Sequence, residues 1–446
     1  MILEEHAPET IPRSTCYKSP MRVAAVVLLL AACGGDDAGP EPFTDTGGTL
    51  AIDGCDYSVT SRLGGEPPRK ATKYQGSDPA TRLVHLGIAG DPQTSMVVQW
   101  RTVDETTLAT TVRYGVGAGL AEGDLTKTVT GIQWAYQATG SEQPRVHQVH
   151  LCGLEPGTSY SYQAGSPGHF SPVYTFRTAP DIVAQPDAEV LYAYVGDSRD
   201  GYDIWGQIVA NYVTRMPDLV LYTGDAVTIG IAQDEWEEFL EKGEPLLSQV
   251  PMVFAHGNHE VNSVNFFSQF AMPGDQENFS FDYGFAHITV ANDTPGENNT
   301  LTGSLVDFLR TDFESSKTSR WKLLMHHQPM WSASQHGSNL TLQSTWGPLV
   351  DQYGLDLVLN GHEHNFEITK PLRGGVVQTS NANATVYAVS GGAGAPLYNN
   401  GMGFWTAYSE STFGASVVRV RRDQLVLESF RSDGTLLPMG FSKTKP

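Results

Sequence analysis

Cysteine is scarce in this chain: four residues in 446, and no two of them stand in Cys-x-x-Cys spacing. Thiolate metal chemistry is thereby excluded. Cys16 and Cys33 fall in or before an N-terminal apolar segment, which leaves Cys55 and Cys152. Whether those two pair is open at this stage, because sequence does not reveal the distance between their Cα atoms. Positive charge is also in deficit. Lys and Arg number 28 against 49 Asp and Glu, giving a formal net charge of −21. A sequence-independent nucleic-acid binder needs the opposite balance to displace counterions. Long apolar runs are missing too. The run Val23 to Ala32 is too short to span a bilayer. What remains, 40% hydrophobic and 10% aromatic residues, describes a folded globular chain, and 446 residues are more than one compact core usually organises.

The short apolar run has the length of a signal-peptide core. It follows Met21-Arg22, and its end, Leu30-Ala31-Ala32-Cys33, resembles the bacterial lipobox, whose cysteine is lipidated and becomes the mature N-terminus. The expectation is a leader over residues 1–33 and an exported protein, either anchored to a membrane through Cys33 or periplasmic or extracellular. The bland alternative is a small buried helix. Glu4, Glu5 and Glu9 suit a positively charged leader poorly, so Met21 is an alternative start. Residues 34–78, rich in Gly, Pro, Asp and Thr, read as a tether and an undefined lead-in.

From residue 79 to 180 short β-forming runs alternate with turn signals, the pattern of an all-β sandwich. Leu151 to Tyr160 resembles the L-x-P-x-T-x-Y corner of fibronectin type III domains, and Trp100 stands where such sandwiches often bury one. His147 and His150 read as packing or surface residues rather than ligands. A Pro/Ala/Asp-rich linker follows.

The texture changes again over residues 188–446. Five apolar strands each end in a polar residue able to bind metal or substrate. Val190 to Val195 runs into Gly196-Asp197, and Leu219 to Tyr222 into Gly224-Asp225. Met252 to Ala255 runs into Gly257-Asn258-His259-Glu260, Trp321 to Met325 into His326-His327, and Leu355 to Leu359 into Gly361-His362-Glu363-His364. In layered α/β folds the loops at strand ends face the ligand, so these side chains should converge. Two Asp, one Asn and three His form an oxygen and imidazole set suited to Mn, Fe, Zn or Co. One carboxylate shared by two ions is the arrangement of two-metal phosphoester chemistry.

On these motifs, D-x-G, G-D-x-x-Y, G-N-H-E, x-x-x-H and G-H-x-H in order, residues 188–446 resemble a calcineurin-like metallophosphoesterase. With the preceding sandwich the chain resembles a bacterial enzyme of the purple acid phosphatase type. The resemblance implies a fibronectin type III-like β sandwich followed by a four-layer αββα sandwich. It implies a phosphomonoesterase that uses a metal-activated hydroxide on small phosphate esters. By that resemblance Asp197 and His364 hold one metal, Asn258, His326 and His362 the other, and Asp225 bridges them. His259 contacts or protonates substrate, and His336 matches a second acid histidine of the plant-type members by spacing alone. Asn258, as a neutral ligand, keeps the centre cationic; Gly257 lets its loop turn; Glu260 is an outer hydrogen-bond partner or a solvated carboxylate.

Two departures stand out. Where the purple enzymes carry a tyrosine ligand, this chain has Thr228, which favours divalent ions over Fe(III) and predicts no purple band unless another phenol, such as Tyr202, substitutes. Where the pattern has glycine, the chain has Arg199, either a phosphate clamp or the partner of a carboxylate such as Asp200 or Asp203. The alternatives are a phosphodiesterase, including one for cyclic nucleotides, on the same core, and a non-catalytic surface module.

Overall fold

The computed structural model describes residues 48–61, 76–104, 106–135, 144–294 and 301–446. The expected leader, Cys33 and most of the expected tether lie outside the described residues. A mostly β N-terminal domain precedes an α/β sandwich.

In the N-terminal domain one face is built from Arg82–Gly87, Ser95–Thr102, Arg145–Cys152 and Ile132–Ala135. The other is built from Thr111–Val116, Lys127–Thr130, Ser159–Ser166 and Tyr174–Arg177. Alternate residues such as Val98, Trp100, Val149, Val112 and Tyr162 close the core between them. The Tyr160 hydroxyl accepts the Glu155 N–H at 2.8 Å, the tyrosine-corner contact of fibronectin-like sandwiches. His147 is fully buried, hydrogen-bonded to Thr102 and Thr110 and stacked on Trp100, so it packs. Cys55 and Cys152, whose Cα atoms are 5.4 Å apart, form a disulfide across 97 residues. By the loop-entropy argument a closure of that length is worth about 4–5 kcal/mol.

The C-terminal half stacks two sheets. The first holds the parallel strands Val190–Val195, Leu219–Tyr222 and Met252–Phe254, extended by Gly414–Val420, Gln424–Arg431 and Phe441–Thr444. The C-terminal hairpin read from the sequence is the pair 414–420 and 424–431. The second sheet runs Phe279–Tyr283, Ala286–Val290, Trp321–Met325, Leu357–Asn360, Val386–Ser390, Phe366–Thr369, Thr406–Glu410. Helices Tyr202–Arg215 and Gln233–Leu247 pack on the first sheet. Helices Ser304–Ser315, Leu340–Thr345 and Gly347–Tyr353 pack on the second. Strands covered on both faces read as unbroken apolar runs, which is why they were visible in the sequence.

The alternation within those runs sorts side chains between layers. Trp321, Leu323 and Met325 enter the core between the sheets, whereas Leu324 enters the core under the helices. Leu357 and Leu359 split from Val358 in the same way. A residue just past such a strand inherits its side from this parity.

The two halves are not separate layers. Gly87 of the sandwich pairs in parallel with Met252, so one ten-stranded sheet runs through both. Across the junction the Tyr162 hydroxyl donates to Ser248 O at 2.6 Å, and Arg101 meets Glu237 at 2.8 Å.

One partly buried ion cluster ties a hairpin to a helix and sets a pH dependence. His287 Nδ1 donates to Asp282 at 2.7 Å, and its Nε2 approaches both Asp312 oxygens at 3.2 and 3.3 Å. Burial alone lowers this imidazole, but the hydrogen bonds and charges of Asp282 and Asp312 raise it to about 9. A histidine raised from 6.5 contributes its full stability below pH 6.5 and loses it as pH climbs through 9. The contribution is on the order of 3 kcal/mol. Denaturant midpoints at pH 6 and pH 9.5 should differ accordingly in the wild type, and His287→Gln should lose that part of the difference. An unchanged slope in the variant would assign the pH dependence elsewhere.

Candidate metal centre

The candidate ligands occupy strained turns at the strand ends. Asp197, Asp225 and His362 hold left-handed φ values of 65°, 57° and 69°. Such backbone costs about 1–3 kcal/mol per residue and concentrates at functional sites. The turns are crowded as well as strained. A Cβ on Gly361 would stand 2.4 Å from Asp197 Oδ2, and one on Gly257 2.3 Å from Asp225 Oδ1. Gly257 therefore gives space to a carboxylate; its own φ lies outside the left-handed region, unlike the turning role expected of it.

The convergence is tight. Donor atoms of Asp225, His327 and His362 all lie within 4.8 Å of one another. His327 Nδ1 donates to Thr223 O at 2.7 Å, which turns Nε2 inward. There it meets Asn258 Oδ1 at 3.0 Å, Asp225 Oδ2 at 3.3 Å and His362 Nδ1 at 3.1 Å. A single N–H could serve only one of those acceptors. His364 repeats the device: Nδ1 donates to Pro396 O at 2.7 Å, and Nε2 lies 3.7 Å from Asp197 Oδ1. Asp197 also accepts the His362 N–H, at 2.9 and 3.0 Å. Lone pairs aimed at one another in a buried space, on histidines oriented by carbonyls, fit metal ligation.

The electrostatics agree. Burial, and then the charge of His327, push His362 down to about 2, and burial lowers His364 to about 4, so both remain neutral donors. Burial also lowers His327, yet the charge and hydrogen bond of Asp225, with Asp197, raise it to about 10. The field at that point strongly favours a cation. Two carboxylates, an amide oxygen and three imidazoles are a donor set for borderline divalent ions.

His327 takes the place expected of His326. His326 is fully buried, its Nδ1 is bonded to Asp293 Oδ2 at 2.8 Å, and its ring lies edge-on to Trp346. Parity explains the exchange. Leu324 and Trp346 belong to the core beneath the helices, and His326 follows Leu324 to that side. His327 follows Leu323 and Met325 to the side between the sheets, where the other ligands stand.

Around this cluster lie the other residues singled out by sequence. The His259 N–H donates to Asp225 Oδ1 at 3.0 Å, its Nδ1 donates to Thr228 O at 2.6 Å, and its Nε2 lies 3.8 Å from Asp225 Oδ2. His336 is half-exposed at the rim, its ring 4.6 Å from that of His362. Arg199 pairs with Asp200 at 3.2 Å, as one of its two readings required, while its other terminal nitrogen lies 3.5 Å from the Tyr398 hydroxyl. Thr228 Oγ1 is turned away to Asp200 Oδ1 at 2.8 Å. The Tyr202 hydroxyl is held by Ala226 O and Glu235, both at 3.1 Å, and burial pushes its ionisation far up; it supplies no phenolate.

Three further residues at the centre were not assigned its jobs by sequence. Glu260, of which a hydrogen-bond role was one reading, is fully buried and accepts three backbone N–H groups from two ligand loops. Tyr398 stacks on His364 with ring centroids 3.9 Å apart. Glu363, between the two histidines of its motif, is fully buried. A distinction of faces within the strand-end motifs could have pointed to Glu260 and Glu363; Tyr398 lies outside those motifs, in the loop after Val386–Ser390.

Comparison with known proteins is consistent with this geometry. Residues 82–178 match the family model of the purple acid phosphatase N-terminal domain, and residues 192–366 that of the calcineurin-like phosphoesterases. Purple acid phosphatase 18 of Arabidopsis thaliana is 26% identical over 384 residues, covering 78% of this chain and 80% of its own. Human acid phosphatase type 7 is 28% identical over 322 residues, covering 66% of this chain and 72% of its own. The structure of a purple acid phosphatase from yellow lupin (Lupinus luteus) seeds shares the fold at a TM-score of 0.71 and 19% identity, covering 82% of this chain and 74% of that one.

Proposed function

Because the chain belongs to the calcineurin-like metallophosphoesterases of the purple acid phosphatase type, and so to the metal-dependent phosphoric ester hydrolases, we propose that it hydrolyses phosphomonoesters outside the cytoplasm. The observation that carries the reading is the convergence of Asn258, Asp225 and His362 on His327 Nε2. In this family the centre is dinuclear. Asp197 and His364 would hold one ion, Asn258, His327 and His362 the other, and Asp225 would lie between them. When bound, such ions neutralise phosphoryl charge and lower the pKa of a water near neutral pH.

The chain's own residues do the rest. Asp225, fixed by the His259 N–H, and the two histidines fixed by Thr223 O and Pro396 O, present donors that need no reorganisation when substrate arrives. His259 Nε2 lies 3.8 Å from Asp225 Oδ2 and would bond a phosphoryl oxygen there. Arg199 has one terminal nitrogen on Asp200 and the other 3.5 Å from the Tyr398 hydroxyl; the second, weaker contact is the one a phosphoryl oxygen would replace. A small phosphate ester is the substrate class proposed, and the acidic composition disfavours nucleic acid.

Export is supported by the Cys55–Cys152 disulfide, since such bonds persist in oxidising compartments. No helix among the described residues is long and apolar enough to cross a membrane.

The deciding experiment loads the full chain with Mn, Fe or Zn and compares p-nitrophenyl phosphate with bis-p-nitrophenyl phosphate. Faster turnover of the monoester is expected; preference for the diester selects a phosphodiesterase, and silence on both selects a non-catalytic module. With Thr228 bonded to Asp200 and Tyr202 to Ala226 and Glu235, divalent ions are favoured. The iron-loaded protein is expected to lack an intense visible band, and an absorption spectrum showing one would refute this.

A further inference from the structure

Glu363 stands between two ligand histidines, yet metal binding does not account for its placement. Its Oε1 accepts the His336 N–H at 2.8 Å. Its Oε2 is buried without a hydrogen-bond partner and lies 3.5 Å from His336 Nδ1. The His336 ring is confined by two more neighbours: the His362 ring, tilted by 36° at 4.6 Å, and the Tyr398 ring, nearly perpendicular at 5.1 Å. The side chain is nevertheless 44% exposed. A buried carboxylate thus faces one ring nitrogen of a half-exposed histidine that lies against a ligand ring.

One oxygen of Glu363 suffices to pin the backbone of the 331–338 loop. The second oxygen needs another explanation, because a buried carboxylate oxygen with nothing to accept is costly. We infer that Glu363 is a positioning residue: it accepts the Nδ1–H of His336 and thereby aims Nε2 at the leaving-group oxygen of the ester. This rests on the phosphomonoesterase reading above. In the step it serves, the bond from phosphorus to the alcohol oxygen breaks as the bond from the attacking water oxygen forms. The His336 Nε2 proton passes to the departing oxygen, which leaves as a neutral alcohol. The ring regains a proton from solvent, and the attacking water loses one to solvent. An orienting carboxylate behind a histidine holds the tautomer and the angle, and the transfer itself belongs to the histidine.

The test exploits leaving groups. p-Nitrophenolate departs without protonation, whereas an alkoxide does not. The Glu363→Gln side chain keeps an oxygen for the His336 N–H and replaces the second oxygen with an amide that cannot accept Nδ1–H. With the metal-loaded full chain, kcat on ethyl phosphate is expected to fall about thirtyfold in E363Q and in His336→Asn, against a loss on p-nitrophenyl phosphate about tenfold smaller. The double variant is expected to be no worse than H336N, with metal content equal to wild type throughout. Equal losses on both esters, additive losses in the double variant, or reduced metal in E363Q overturns the inference and leaves the phosphomonoesterase reading intact. A metal-loaded wild type silent on both esters overturns both. Should E363Q unfold, imidazole ¹⁵N spectra of the wild type still decide: Nδ1 of His336 protonated and hydrogen-bonded supports the inference, and Nδ1 unprotonated overturns it.

Discussion

His327→Ala is expected to abolish metal-dependent phosphoester turnover, and His326→Ala is expected to spare it. His327 Nε2 is the point on which three other donors converge, and Thr223 O fixes its tautomer. Removing it leaves one ion short of a ligand and its charge stabilisation misplaced. Several kcal/mol of transition-state stabilisation are at stake, which corresponds to a fall in kcat of about a thousandfold or more. His326→Ala removes a buried ring that bonds Asp293 and packs on Trp346. Its cost should appear in stability, roughly 2–4 kcal/mol, because Asp293 loses a partner inside the protein. Activity of the folded H326A protein should stay within about tenfold of wild type, as expected for a residue that touches no ligand. Metal content, kcat and the melting transition of the two variants separate the roles. Loss of metal from H326A with H327A fully active would reverse the assignment.

The second large effect is expected at Glu260. One side chain accepts N–H groups from Asp225 at 2.9 Å, Ala226 at 3.0 Å and Gly257 at 2.7 Å. It therefore bolts the loop of the bridging aspartate to the loop of Asn258. Glu260→Ala strands all three donors in a site with no access to water. At about 1–2 kcal/mol for each unsatisfied group, the folded state loses roughly 3–6 kcal/mol, a large share of what holds a domain together. Glu260→Gln retains one accepting oxygen but turns an amide against the remaining N–H groups, so its stability should fall between the two. Chemical denaturation of E260A and E260Q, with metal titrations on whatever remains folded, gives the ordering. An E260A protein as stable as the wild type, with unchanged metal affinity, would show that water or a backbone shift replaces the carboxylate.

Much of the catalytic half was legible because its strands are covered on both faces. Five largely apolar runs, broken only by Lys322 and Asp356 and each stopped by Asp, Asn or His, contrast sharply with their surroundings. The choice between His326 and His327 was not legible from a motif that requires only one histidine after the strand. It depends on which face of the sheet each neighbour takes, and that is known only once Leu324 and Met325 are assigned to different cores. The hairpin of Phe279–Tyr283 and Ala286–Val290 and the strand Val386–Ser390 carry no terminal ligand, so nothing distinguished them from other apolar segments. Glu363 escaped assignment, and Glu260 stayed between a hydrogen-bond partner and a solvated carboxylate, for a different reason. Their roles lie in what their oxygens accept from distant backbone and side-chain groups, and no local pattern encodes such partners. The disulfide was undecidable for the same reason, since 97 residues separate its cysteines.

The pairing of Gly87 with Met252 carries a consequence for assembly of the chain. A fragment beginning at Ala188 would present Met252–Phe254 as a bare apolar edge, its N–H and C=O groups free to recruit any other extended segment. The N-terminal strand acts as an intramolecular cap on that edge, and it emerges from the ribosome well before the strand it protects. Mis-pairing between chains is thus suppressed by synthesis order as well as by packing, and severing the sandwich removes that protection.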